Sequence, residues 1–289
     1  MVNLENLVRR ARIVSAIRRF FDERGFLEVS TPVRIAAPAP EPHIDCPAAP
    51  DPAPRGGARF LRASPELQMK KLLAAGLDKI YQIGPCFREG ELGRRHHPEF
   101  TMIEWYRKDA DYLAIAADLE ELVAALVQEF GGETVAAKLP RLTVRDAYLK
   151  FAGWDPWAAF DQDRFDFDMA TKIEPNLPAE PVFLFDYPPQ AASLAKLRGA
   201  VAERWEFYWR GMELANCFTE LCDAAEQRAR FAAARAERAA LGEADYPLDE
   251  EFLDTLPAIG SAAGVALGVD RLVAILCGEN DIHRVMAAE

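Results

Sequence analysis

Arginine, glutamate and histidine side chains are concentrated beside aromatic residues in the segment Phe87–Tyr106, which reads FREGELGRRHHPEFTMIEWY. The pattern predicts a strand that ends at Arg88, then a polar loop and a second strand. Alternation along the second strand places four side chains on one face: Phe100, Met102, Glu104 and Tyr106. A carboxylate buried on an aromatic face is costly unless it binds a cation. The segment is therefore either a cation-binding surface or a hairpin with a solvated tip, and its pattern alone leaves both open.

A second group of carboxylates lies in the segment Glu206–Asp223, EFYWRGMELANCFTELCD. Two strand-like pieces flank a predicted Arg-Gly turn, so Glu206 and Glu213 could face each other across it. Two carboxylates in this arrangement suit a Mg²⁺ ion that bridges phosphates, because Mg²⁺ prefers oxygen ligands. On the second piece, three side chains share one face in an apolar context: Asn216, Phe218 and Glu220. A surface hairpin with ordinary acidic residues is the open alternative.

A third segment, Gly264–Val273, reads GVALGVDRLV and predicts a strand of small residues that runs into a helix. Glycine backbone permits the close approach of a ligand. Asp270 and Arg271 would stand at the start of the helix, where the planar, permanently charged guanidinium could stack on an adenine or neutralise a phosphate. Taken alone, the segment fits a tight packing contact between strand and helix better.

The elements that must position these segments follow from the periodicity of the apolar residues. Residues 1–24 predict an amphipathic helix, 26–35 a strand, 36–58 an extended loop rich in Pro and Ala, and 140–180 an irregular helical insertion. Clustered strands with one helical insertion indicate an α+β fold, a mainly antiparallel sheet flanked by helices. Neither GxGxxG nor GxxxxGK[ST] occurs, so the sequence supports neither a Rossmann nor a P-loop nucleotide site.

The bulk composition limits the class of protein. The chain has 289 residues, half of them hydrophobic, and a formal charge of −12, which argues against a surface that grips nucleic acid throughout. The apolar runs are too short for a membrane-spanning helix, and the N-terminus lacks the features of a signal peptide. Five scattered cysteines without a CxxC pair predict reduced thiols in a cytoplasmic protein.

Together, the three chemical segments resemble motifs 2 and 3 of the class II aminoacyl-tRNA synthetases, and Phe20–Pro32 resembles motif 1. Within that class, SPELQMKKLLAAGLDKIYQI and RHHPEFTMIEWY are similar to the catalytic core of the lysyl-tRNA synthetases. The resemblance covers nearly the whole chain. It implies a single catalytic domain over residues 1–289, ATP as a substrate, Mg²⁺, and a homodimer formed through motif 1.

The chain begins at the motif 1 helix, which leaves no room for an anticodon-binding domain. It therefore resembles the elongation factor P–lysine ligase family (the GenX or PoxA type), a truncated paralogue of the lysyl-tRNA synthetases. The resemblance implies activation of (R)-β-lysine, or lysine, as an adenylate and its transfer to a lysine of elongation factor P. We expect no membrane association, and tRNA is not the expected acceptor.

Carried over position by position, the resemblance implies roles for fifteen residues. Four are the catalytic residues: Arg88, Glu206, Glu213 and Arg271, of which Glu206 and Glu213 would hold the metal. The ATP-binding residues are Arg88, Glu91, His96, His97, Phe100, Glu213 and Arg271, with Phe100 and Arg271 on either side of the adenine. The donor pocket is formed by Glu66, Glu104, Tyr106, Asn216, Phe218, Glu220 and Ala266. Because the nucleophile is already a carboxylate anion, catalysis needs orientation and charge neutralisation and no general base.

Several positions depart from the family pattern. Gly90 stands where relatives have an ATP-contacting glutamate. Either neighbour, Glu89 or Glu91, could supply that carboxylate after a small shift of the loop, and we assign the role to Glu91. His97 replaces an asparagine, and Cys217 replaces a glycine beside Asn216. Ala266 stands where lysyl-tRNA synthetases have glycine; one methyl group is worth about 1–3 kcal/mol of discrimination, and we expect it to favour β-lysine.

Two alternatives remain at this point. The first is a stand-alone lysyl-tRNA synthetase-like enzyme that charges tRNA or another acceptor, and it predicts a basic track and strong salt dependence. The second is a non-catalytic regulatory paralogue. The joint presence of Arg88, Glu206, Glu213 and Arg271 argues against the second, because the chemistry needs all four and binding alone does not.

Overall fold

A mixed β-sheet organises the chain, of which the computed structural model describes residues 3–50, 57–131 and 135–287. The strands in chain order are β1 (Leu27–Glu28), β2 (Arg34–Ile35), β3 (Phe60–Leu61), β4 (Lys79–Phe87), β5 (Glu99–Lys108), β6 (Arg141–Thr143), β7 (Val182–Tyr187), β8 (Leu197–Arg198), β9 (Val201–Trp209), β10 (Met212–Thr219) and β11 (Ala262–Gly268). The main sheet has the order β1-β4-β5-β11-β10-β9-β7-β6, with β8 paired to β9; β2 and β3 form a separate ribbon. Only the β1·β4 and β6·β7 pairs are parallel. The predicted α+β fold with a mainly antiparallel sheet is confirmed.

Eight α-helices flank this sheet in the described part of the chain. They are α1 (Leu4–Asp22), α2 (Glu66–Ala74), α3 (Tyr112–Phe130), α4 (Val144–Ala147), α5 (Gln162–Asp168), α6 (Ala224–Leu241), α7 (Glu250–Ile259) and α8 (Val269–Leu276). Local chemistry sets several of their ends: the Asp111 carboxylate caps α3, the Asp223 carboxylate caps α6, and α6 ends at Gly242 with φ of +78°. None of the described helices is long and apolar enough to cross a membrane.

The two faces of the sheet are buried in different ways. Odd-numbered residues of β5, such as Ile103 and Trp105, pack into a large apolar core with α1, α3 and α8. Even-numbered residues of the same strand point to the other face, where α2, α6 and α7 cover only part of the sheet. The uncovered part of that face is where the polar side chains collect.

The strand register brings distant polar residues into two rows across five strands. The first row, from β9 to β4, is Glu206, Asn216, Ala266, Glu104 and Gln82. The second row is Arg204, Phe218, Gly264, Tyr106 and Ile80. Because side chains alternate along a strand, both rows face the same side of the sheet. The predicted shared face of Glu104 and Tyr106 is confirmed.

A β-bulge lies between Glu213 and Ala215 of β10. Glu213 pairs with Tyr208, and Ala215 pairs with Phe207, so Leu214 is the extra residue. Glu213 therefore does not stand directly opposite Glu206, as the sequence had suggested. Without the extra residue, Glu213 and Asn216 would point to opposite faces of the sheet; with it, both line the same side.

Two stretches differ from the sequence prediction. The segment 26–35 was expected to be one strand, but it pairs only at β1 and β2. Between them, the Arg62 guanidinium bonds to Thr31 in place of a neighbouring strand. It donates to the Thr31 carbonyl at 3.0 Å and to the Thr31 hydroxyl at 2.7 Å. Of the predicted loop 36–58, residues 51–56 lie outside the described part of the chain. The expected insertion at 140–180 contains β6, α4 and α5 and single turns of π- and 3₁₀-helix.

Candidate active site

One cavity of about 340 Å³ is lined by all fifteen residues that the sequence analysis assigned to the site. Its floor is the polar face of the central strands, and its walls come from α2, the loop after β4 and the start of α8. The residues assigned from the sequence therefore line one and the same cavity. Their individual roles remain predictions.

Three carboxylates form one end of the cavity, which we call the acidic pocket: Glu66, Glu104 and Glu220. Glu104 is fully buried, and its two oxygens accept hydrogen bonds from the Ser64 hydroxyl at 2.6 Å and the Tyr106 hydroxyl at 2.7 Å. Burial, reinforced by the nearby Glu66, raises the pKa of Glu104 to about 7. A cation placed beside Glu104 would therefore stabilise its ionised form.

A lysine lies behind the acidic pocket. The Lys70 ammonium is 2.5 Å from an oxygen of Glu66 and 2.5 Å from an oxygen of Glu220. Burial alone would lower the pKa of Lys70, but the two carboxylates raise it above its ordinary value. Lys70 therefore stays charged, although only 1% of it is exposed.

Arg88, Phe100 and Glu91 meet at the start of the loop after β4. The Arg88 guanidinium lies 5.3 Å from the centre of the Phe100 ring and 3.4 Å from a carboxylate oxygen of Glu91. Gly90 has φ of +78°, a conformation that favours glycine, and the turn returns Glu91 toward Arg88. The departure from the family pattern at Gly90 is therefore accommodated by a turn that keeps a carboxylate at the cavity wall.

The guanidinium of Arg271 is held by fixed acceptors at the start of α8. It donates to the Glu213 carbonyl at 2.7 Å and to the Arg95 carbonyl at 3.1 Å, and it lies 2.8 Å from Nε2 of His96. Burial, together with the charge of Arg271, lowers the pKa of His96. A neutral imidazole beside a guanidinium leaves this wall of the cavity with a net positive charge that suits an anionic ligand.

The two carboxylates proposed to hold a metal have different surroundings. Glu206 is buried and accepts hydrogen bonds from Arg204 at 2.6 Å and from the Tyr208 hydroxyl at 2.7 Å. Burial and the charge of Glu206 raise the pKa of Glu213 to about 7. Two neighbouring carboxylates that repel each other would be stabilised by a divalent cation between them.

Some lining residues were not found from the sequence. Arg204 donates to Asn216 at 3.2 Å and to Glu206, and it stacks 4.2 Å from the centre of the Tyr187 ring. Its position two residues before Glu206 on one strand was a usable signal. Glu41 also lines the cavity, but it comes from the Pro-rich loop, where no periodicity indicates which side chain turns inward.

A second cavity of about 540 Å³ adjoins the first, and Glu206 and Glu213 line both. Its other walls come from the insertion and from α6, including Glu174 and Glu237. The two carboxylates can thus be approached from two sides.

The chain is similar to known proteins over nearly its whole length. Residues 2–287 match the family model described as tRNA synthetases class II (D, K and N). The chain is 38% identical to the elongation factor P–(R)-β-lysine ligase of Proteus mirabilis, covering 99% of this chain and 95% of that protein. It is 36% identical to the proteins of the same name from Pasteurella multocida and Vibrio cholerae, again over 99% of this chain and 95% of each relative.

Proposed function

The chain belongs to the elongation factor P–(R)-β-lysine ligase family of the class II tRNA synthetases, and from that premise we propose that it uses ATP to join (R)-β-lysine, or lysine, to a lysine side chain of translation elongation factor P. The observation that carries the proposal is the polarity of the cavity. One end is the acidic pocket, and the other is lined by Arg88, His96 and Arg271.

The size of the cavity fits an aminoacyl-adenylate. Phe100 and Tyr106 are six residues apart on β5, which corresponds to about 20 Å at about 3.3 Å per residue. A donor whose ammonium tail lies at Glu104 and Tyr106 would extend its carboxylate along the strand toward Arg88. An adenine between Phe100 and Arg271 would then place the α-phosphate next to that carboxylate.

Two transfers complete the proposed reaction. The donor carboxylate attacks the α-phosphorus of ATP, an oxygen–phosphorus bond forms, and pyrophosphate leaves. The free amine of the acceptor lysine then attacks the carbonyl carbon, an amide bond forms, AMP leaves, and the amine proton passes to solvent. The protein contributes by orienting the groups and neutralising charge: Arg88 at the α-phosphate and donor carboxylate, and His96 at the γ-phosphate.

The ATP subsite in this proposal consists of Arg88, Glu91, His96, His97, Phe100, Glu213 and Arg271, which all line the cavity. Glu206 and Glu213 fit a Mg²⁺ ion, because Mg²⁺ commonly takes one or two carboxylates and completes its shell with substrate phosphates and water. No group of three or more possible ligands forms a protein-only metal cage among the described residues. When bound, Mg²⁺ would neutralise phosphate charge and favour the departure of pyrophosphate.

The donor subsite consists of Glu66, Glu104, Tyr106, Asn216, Phe218, Glu220 and Ala266. Arg204, which also lines the cavity, orients Asn216 and Glu206 through its hydrogen bonds. The acceptor lysine is proposed to reach the adenylate through the second cavity, whose acidic walls favour a cationic side chain.

Two further properties are part of the proposal. A homodimer through α1 and β1 is supported by Leu4, Val8 and Leu27, which are 73%, 54% and 52% exposed. Cytoplasmic residence is supported by five cysteines that are all free.

The deciding experiment supplies the protein with ATP, each lysine isomer, and either elongation factor P or tRNA. We expect pyrophosphate exchange that depends on (R)-β-lysine, followed by label in elongation factor P. The Arg271→Ala variant should lose both steps, and Arg228→Ala, which removes an exposed α6 arginine paired with Glu250, should lose neither. Label in RNA would favour the stand-alone synthetase, and absence of any adenylate would favour the regulatory paralogue.

A further inference from the structure

Lys70 is a charged side chain that the proposed reaction does not use. It belongs to the first turns of α2, one helical turn after Glu66, and its ammonium contacts both Glu66 and Glu220. Lys70 does not line the cavity, whereas the two carboxylates that it contacts do. Its position is therefore behind the acidic pocket, out of reach of a ligand.

The charges of the acidic pocket do not balance without a ligand. Three carboxylates lie around one lysine, so the fully ionised group carries two excess negative charges. Among the residues that the structure describes, no ammonium group contacts Glu104, and its hydrogen-bond donors are the hydroxyls of Ser64 and Tyr106. In a buried site, excess charge of one sign favours retention of a proton. Burial raises the pKa of Glu104 to about 7 and that of Glu220 to about 8, so the empty pocket retains a proton among these carboxylates near neutral pH.

We propose that Lys70 is a positioning residue that sets the charge of the donor pocket: by compensating Glu66 and Glu220 from behind, it leaves the pocket with one proton to exchange for the ammonium of the donor. This inference rests on the proposed function, since it concerns the same pocket. The groups that face Glu104 in this exchange are Ser64, Glu66 and Lys70 on the α2 side, Tyr106 on its own strand, and Glu220 after β10.

Removing the Lys70 charge should change how the pocket holds protons. In the Lys70→Met variant, three buried carboxylates lie together with no internal cation, so ionising any one of them is harder. The donor ammonium must then displace a proton that is bound more tightly. A side chain needed only for packing would lower the stability of the variant and leave this proton exchange unchanged.

Isothermal titration calorimetry with pentylammonium chloride tests the inference without any ligase step. For the wild type we expect the dissociation constant to fall as pH rises through about 7 to about 8, with proton release on binding. For Lys70→Met, the midpoint of that pH dependence should rise by about one unit or more, and binding at neutral pH should weaken by roughly tenfold. ATP binding should change by less than about twofold, since the ATP subsite lies at the other end of the cavity.

Three variants separate charge from folding. Lys71→Met removes the neighbouring lysine of the same helix, which contacts Asp249 and Glu251 away from the cavity, and it should titrate like the wild type. Lys70→Arg keeps the charge and should keep the midpoint. Adding Glu220→Gln to Lys70→Met removes one excess negative charge and should return the midpoint toward that of the wild type.

The results that would overturn the inference are distinct from those that would overturn the proposed function. An unshifted midpoint in Lys70→Met, or a wild type that binds no ammonium ion, excludes the role of Lys70. A wild type that binds ammonium with the expected pH dependence, but labels no elongation factor P, supports Lys70 and refutes the transfer step alone.

Discussion

Gly264 of β11 allows Tyr106 to lie flat across the neighbouring strand. A methyl group built on Gly264 would stand 2.1 Å and 2.2 Å from two carbons of the Tyr106 ring. Carbon atoms in contact are about 3.5–4.0 Å apart, so Gly264→Ala forces the ring or the strand to move by more than 1 Å (roughly the difference between those distances). The ring carries the hydroxyl that donates to Glu104 at 2.7 Å, and that hydrogen bond would be lost.

The expected cost has two parts. Overpacking of a buried site costs about 1–3 kcal/mol, which for a chain of this size lowers Tm by roughly 2–10 °C. Loss of a hydrogen bond to a charged group in the donor pocket should raise the KM for the donor by about tenfold, with a smaller effect on the KM for ATP. Scanning calorimetry and pyrophosphate exchange measure the two parts separately.

Two further variants make the test sharp. In Gly264→Ala/Tyr106→Leu the clashing ring carbons are absent, so Tm should recover in part while the donor KM stays high. Gly268→Ala adds a methyl group to the same strand where the nearest atom is 3.6 Å away, and its Tm should match that of the wild type. If Gly264→Ala has a wild-type Tm and a wild-type donor KM, the packing argument is refuted.

Three more outcomes follow from the site. Burial and the charge of Glu206 raise the pKa of Glu213 to about 7, so its carboxyl is protonated below that pH and is then a poor Mg²⁺ ligand. The Mg²⁺ concentration for half-maximal pyrophosphate exchange should therefore rise as pH falls through 7. A Mg²⁺ requirement that does not change with pH would exclude Glu213 as a ligand. Arg271→Lys keeps the charge but loses the planar fork, and the KM for ATP should rise by about tenfold; an unchanged KM would contradict the adenine contact. Ala266→Gly should shift the preference from (R)-β-lysine toward lysine by about tenfold in relative kcat/KM for adenylate formation, and an unchanged ratio would remove Ala266 from the specificity argument.

Much of the fold follows from local patterns in the sequence. β5 coincides with the alternating segment 99–108, and α8 begins where the small-residue strand was expected to turn into a helix. The predicted Arg-Gly turn is present between β9 and β10, where Arg210 and Gly211 both have positive φ. The break in the predicted strand at 26–35 was not foreseeable, because it depends on Arg62, a residue about thirty positions later whose bonds to Thr31 require the tertiary fold.

The composition of the site was easier to predict than its arrangement. All fifteen assigned residues line the cavity, because the resemblance to the class II motifs assigned them position by position. The two-residue turn pairs Glu213 with Tyr208. The bulge at Leu214, which brings Asn216 to the same side of the sheet as Glu213, has no clear local signature in the sequence. Glu41 was missed because it comes from an aperiodic loop. Lys70 was not assigned to the site, although its spacing from Glu66 could have suggested a pair.

The row of residues from Glu206 to Gln82 joins positions that are far apart in the chain, on five strands of one sheet. No single hairpin contains the donor pocket, so a partly folded chain has nothing with which to bind the donor. Ligand binding is therefore coupled to the integrity of the entire sheet: a donor at 100 times its dissociation constant would stabilise the folded protein by about 2.7 kcal/mol. Binding of the donor therefore stabilises the sheet that forms its pocket. Unfolding of any of those strands would release the donor.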